Sequence, residues 1–157
     1  MTRRLMTLTL GAMLVVALAA PAVAAPAKTP VSGQDILSQM LDEGRTWMSD
    51  GIQHVRGWTA EYETYGEPGA YVDGTSIIVA NWNLDVASGD GTMWGTTDLT
   101  LTDTDGGWHQ TWVAKFDGGV WSGQAVGRGF GTLRGMKIRI DVWSTGVGTD
   151  SFEGFVR

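Results

Sequence analysis

The chain has 157 residues, 43% hydrophobic and 18% charged, with 23 glycines, 8 tryptophans, no cysteine and a formal net charge of -6. Without cysteine there are no disulfides, thiol nucleophiles, thiolate metal sites or lipobox acylation, so stability has to come from apolar area buried within one domain. The acidic balance disfavours nucleic acid and anionic membrane surfaces as partners, because both need Lys and Arg to displace counterions from phosphate.

Arg3 and Arg4 precede an apolar run from Leu5 to Ala20, followed by Ala22-Val23-Ala24. This is the pattern of a secretory signal peptide over residues 1–24, cut after Ala24. The run is shorter than the roughly 20 apolar residues of a spanning helix, so the expected location is secreted or periplasmic, with no membrane attachment after cleavage. Cleavage would leave 133 residues and remove two arginines, taking the charge from -6 to -8. Residues 25–33 read as a flexible lead-in and 34–157 as a single domain.

The spacing predicts one short helix over about 34–43. Ser32 and Asp35 stand at capping-box-like spacing, and Ile36, Leu37, Met40, Leu41, Trp47 and Met48 recur near one face, although Gly44 interrupts them. After Asp50 the period changes to two. Trp58, Ala60, Tyr62 and Thr64 alternate with Thr59, Glu61, Glu63 and Tyr65, and Ile78, Ala80, Trp82, Leu84 and Val86 alternate with Asn81, Asn83 and Asp85. The same alternation runs through 92–101, 108–116 and 136–142, with a long strand from Val120 to Gly131 and a closing one around Phe152 to Val156.

Short connections rich in Asp and Gly, namely ASGDG at 87–91, DTDGG at 103–107, DGG at 117–119 and LRG at 133–135, join these runs as hairpins. The expected fold is therefore all-β: a small antiparallel up-and-down meander closed into a barrel of seven or eight strands, with the short N-terminal helix. Within the strand 120–131, Gly123, Gly127, Gly129 and Gly131 share one face. The preferred reading is that neighbouring side chains lie over them, rather than that a ligand rests on bare backbone.

The segments GTMWG at 91–95, GGWHQTW at 106–112, GVWSGQAVGRGFGTLRGMKI at 119–138 and FEG at 152–154 resemble secreted bacterial barrels of the allene oxide cyclase-like and wider calycin type. The resemblance covers roughly residues 75–157. It implies a barrel whose cavity holds, or conformationally constrains, a small molecule, and it transfers no catalytic residue. WSGQ at 121–124 and the segment from Val147 to Phe152 also resemble avidin-like barrels, which would place Trp121 and Asp150 against a ligand. The N-terminal Gly, Trp and Asn cluster of that family has no counterpart here.

The two histidines, His54 and His109, share no strand face and sit in no HExxH, so both read as surface groups with no metal site. A G-x-S-x-G elbow is missing, and DTDGG lacks the further oxygen ligands of a calcium loop. The first functional expectation is a binding barrel for a small apolar molecule in a cavity lined by Trp58, Tyr62, Trp82, Trp108 and Trp112, with Gln124 and Arg128 orienting it. The alternative is a cofactor-free cyclase or isomerase with Asp98, Glu61 or Arg128 as polar assistants. A third is a filled barrel acting through surface tryptophans such as Trp94, Trp121 and Trp143. No cofactor is expected, a homo-oligomer is left open, and the inward face of 78–86 is taken to be the one carrying Trp82 rather than that of Asn81, Asn83 and Asp85.

Overall fold

The computed structural model describes residues 27–157. The leader read at 1–24 lies outside the described residues. Nine strands run in chain order: β1 (Thr29–Asp42), β2 (Arg45–Ser49), β3 (Ile52–Glu67), β4 (Gly74–Asp85), β5 (Gly91–Leu101), β6 (Gly106–Asp117), β7 (Val120–Gly131), β8 (Lys137–Gly146) and β9 (Thr149–Val156). A four-residue helix, α1 (Gly69–Val72), connects β3 to β4. Each strand from β3 to β9 pairs antiparallel with the next, and β1 pairs with both β3 and β9, closing an eight-stranded up-and-down barrel. β2 adds a short ribbon to the end of β3 beyond the closed wall.

The helix expected at 34–43 is instead the second half of β1, and the lead-in expected at 25–33 is ordered strand from Thr29 onward. The reason is partly local. Register shifts between Leu37 and Gln39 and between Met40 and Asp42 break the period of two. As a result Leu37 and Met40, which pair with the inward-facing Tyr62 and Ala60, stand three apart as they would on a helix. The rest is tertiary. Without β1, the facing edges of β3 and β9 would leave their ladder groups unpaired, and closing the barrel outweighs a weak helical pattern.

Turn chemistry sets the hairpins. Asp50 and Gly51 both have positive φ (51° and 81°), the two-residue geometry that matches strand twist, and Gly118 and Gly119 (58° and 86°) repeat it between β6 and β7. The β3 strand takes in residues 52–56 and passes through a bulge between Val55 and Trp58.

The core is concentrated at one end. Val31, Val72, Leu101, Trp108, Leu133, Ile138 and Val156 form one buried cluster where β1 begins, β9 ends and α1 packs. The glycine face of β7 turns inward and is covered by protein. A Cβ added at Gly127 would lie 2.7 Å from Gln110 Cγ and 2.9 Å from both the His109 carbonyl oxygen and Ile138 Cγ2. The Gly127→Ala protein is therefore expected to lose about 1–3 kcal/mol by overpacking, read as a lowered urea midpoint. An unchanged midpoint would mean that this wall yields without cost.

Candidate functional site

Inward positions follow from the register. The interior holds a cavity of about 250 Å³, just below the roughly 300–1,000 Å³ of typical small-molecule clefts. Trp58, Trp82, Phe116 and Trp121 line it toward the end that carries the β4–β5 and β6–β7 turns, where all four remain partly exposed. Deeper in, Tyr62, Trp112, Ile140 and Phe152 form its walls, and Val72 of α1 contributes from the packed end. Trp58 and Trp82 meet edge to face with centroids 6.2 Å apart, a favoured arrangement that fixes both rings.

Against the sequence expectations, Trp58, Tyr62, Trp82 and Trp112 stand on the cavity wall. Trp108 does not: it is fully buried in the packed end, where its indole Nε1 donates to the Tyr71 carbonyl oxygen at 2.7 Å. Gln124 and Arg128 are corrected too. Both are exposed on the outer face of β7, where the Gln124 amide donates to Asp141 at 2.8 Å and accepts from Arg139 at 3.3 Å. Their parity opposes that of Trp121, Gly123, Ala125 and Gly127, so the same alternation that turns the glycines inward turns Gln124 and Arg128 out.

Glu61 and Asp98 also belong to the outside. Ser38 Oγ donates to the Glu61 backbone and side-chain oxygens, and Asp98 bonds the exposed His109. His109 stacks on Phe130, whereas His54 is half-buried, stacked on Trp47 and bonded to Asn83 at 2.7 Å. Asn81, Asn83 and Asp85 face outward with it. Trp94 lies on the outer wall beneath the Arg56 guanidinium, 4.7 Å from ring to charge, and Trp121 is an interior residue rather than a surface one. Among the described residues no group of three or more His, Cys, Asp or Glu side chains could hold a metal ion.

Of the groups that make the interior chemically distinctive, the sequence points to Tyr62 as cavity wall and, through the avidin-like resemblance, to Asp150, but gives Asp35 and Thr64 no part in a site. Asp35 on β1 lies directly opposite Asp150 on β9 and, on its other side, Thr64 on β3. All three line the cavity. Thr64 Oγ1 donates to Asp35 at 2.6 Å and lies 2.8 Å from Ser76 Oγ, so with Asp35 ionised the proton chain runs from Ser76 through Thr64 to the carboxylate. Burial pushes the Asp35 carboxyl up to about 6. Burial first, and the neighbouring Asp35 second, push Asp150 up to about 7. The Tyr62 hydroxyl is held well above its usual range by burial and by both carboxylates.

Asp150 and Gln110 are 8% and 7% exposed, and neither side chain has a hydrogen-bond partner among the described residues. Since among the described residues no sealed side-chain polar atom lacks a partner, these two groups reach open space, which the cavity they both line supplies. The parity of Asp150 with Phe152 and Val156 was the available signal for the inward carboxylate on β9. In comparisons with known proteins, no family model and no curated sequence matches this chain.

Proposed function

We propose that this chain is a secreted binding barrel that holds one small, largely apolar molecule in its interior. The observation that carries the reading is the aromatic cavity of about 250 Å³, open to a few polar groups on an otherwise apolar wall. An eight-stranded barrel is just wide enough either to fill itself or to keep one such space, and here the packing is spent at one end. The resemblance to calycin-type and avidin-like barrels supports the same reading, and Trp121 and Asp150, the positions that the latter would assign to a ligand, both line the cavity.

Native mass spectrometry of the purified protein tests it. The expected result is excess mass that disappears on denaturation, and a homo-oligomer would register as a whole multiple of the chain. Trp112→Ala is expected to leave the barrel folded and abolish the excess mass, because its half-buried ring, packed against the core cluster on one side, forms cavity wall on the other. A native mass equal to that of the bare chain would move the function to the outer surface.

One observation favours a second reading, a cofactor-free cyclase or isomerase. Two inward carboxyl groups with raised proton affinity could serve as acid and base on a substrate folded by the aromatic walls. Its mark would be a released isomer of an added substrate rather than a retained one.

A further inference from the structure

The cavity's ionisable groups are of one sign. Asp35 on β1, Asp150 on β9 and Tyr62 on β3 line it, and among the described residues no Lys, Arg or His does. The cations among the described residues lie elsewhere, as with Arg56 beneath Trp94 and Arg128 and Arg139 on the outer wall. The walls from β4 to β8 add only hydroxyl, amide and apolar side chains. A carboxylate ligand would therefore be buried beside two acids with nothing to neutralise it.

The two acids are unequally provided for. Asp35 accepts from Thr64, while Asp150, nine-tenths buried, has no side-chain partner among the described residues and faces the same space as Gln110, which has none among them either. What is missing is a donor, preferably a charged one, since a single cation between two carboxylates removes their repulsion as well as their hydrogen-bond deficit. The tryptophans suit the same guest. Their ring faces attract a cation in a site shielded from water, and the Gln110 carboxamide can accept from a remaining N–H.

Resting on the binding-barrel reading, we infer that the Asp35–Asp150 pair is the recognition group of the cavity and that its ligand is an organic amine, bound as the ammonium with its apolar body against the tryptophans. The charge on the guest decides selectivity. An amine should bind more tightly than the alcohol of the same shape, and the corresponding acid should be refused. Because the ammonium needs the pair ionised, binding should release protons at pH 6 and strengthen toward pH 8. Asp35, Asp150 and Tyr62 are the titratable groups facing the site.

Isothermal titration with phenethylamine, 2-phenylethanol and 3-phenylpropionate at pH 7.5 separates the cases. The amine is expected to bind at least ten-fold more tightly than the alcohol, with no heat from the acid. Asp150→Asn is expected to reduce amine affinity at least ten-fold and alcohol affinity by less than three-fold, with circular dichroism reporting the fold and Asp35→Asn as the second variant. If alcohol or acid binds as tightly as the amine, or both variants keep full amine affinity, the cation inference is overturned and the binding barrel survives. If none of the three probes binds, both fall.

Discussion

Replacing Trp108 with alanine is expected to cost about 3–5 kcal/mol of folding free energy, more than the loss of any tryptophan on the cavity wall. The ring is wholly buried among Val72, Leu99, Leu101 and Leu133, so its removal leaves a void that the barrel cannot collapse without breaking ladder bonds. It also strands the Tyr71 carbonyl, whose partner at 2.7 Å is the indole N–H and which tethers the α1 connection to the β6 wall. Trp82 and Trp112 are only half-buried and already face empty space, so truncating either enlarges a cavity instead of creating one. Urea unfolding followed by circular dichroism checks the contrast. Equal midpoints for Trp108→Ala and Trp112→Ala would mean that the packed end is not where the stability resides.

That contrast also marks how far the sequence could be read. Strict alternation in β3 to β6 and β8, punctuated by Asp-Gly turns, identified the meander, because a half-buried strand cannot hide its period. It could not separate Trp108 from Trp112. They are four apart on one strand face, and only the position of α1 and the 132–136 turn decides which ring is sealed and which is left facing the cavity. In β7 the inward face carries, beyond Trp121, only glycine and alanine, which give no apolar signal, so the chemistry of Gln124 and Arg128 outweighs their parity in the sequence. In β1 two bulges disguised a strand as a helix, and with it the inward position of Asp35. Charged residues on an inner face read as exterior by default, yet Asp35 shares parity with Val31, as Asp150 does with Phe152.

Raising the pH from about 4 to about 8 is expected to destabilise the barrel. Asp35 and Asp150 ionise near their ordinary value of 3.8 when the chain is unfolded, but hold their protons to about 6 and about 7 in the folded protein. Across that window the native state binds more protons than the unfolded one, so each step up in pH favours unfolding, and the contribution is fully present only at the acid end. At about 1.4 kcal/mol for each pH unit a proton is held, the pair together accounts for stability on the order of a few kcal/mol lost by pH 8. Asp150→Asn removes both its own desolvation and the repulsion felt across the pair, so the variant should be more stable than the parent at pH 8 and show a flatter profile. Urea midpoints at pH 5, 6, 7 and 8 measure this, and a parent midpoint that holds steady or rises through the window would contradict it. An ammonium between the carboxylates would oppose the trend, because it stabilises the very state that high pH creates. Saturating phenethylamine should therefore raise the midpoint more at pH 8 than at pH 5, tying the stability of the empty barrel and the charge of its guest to the same two side chains.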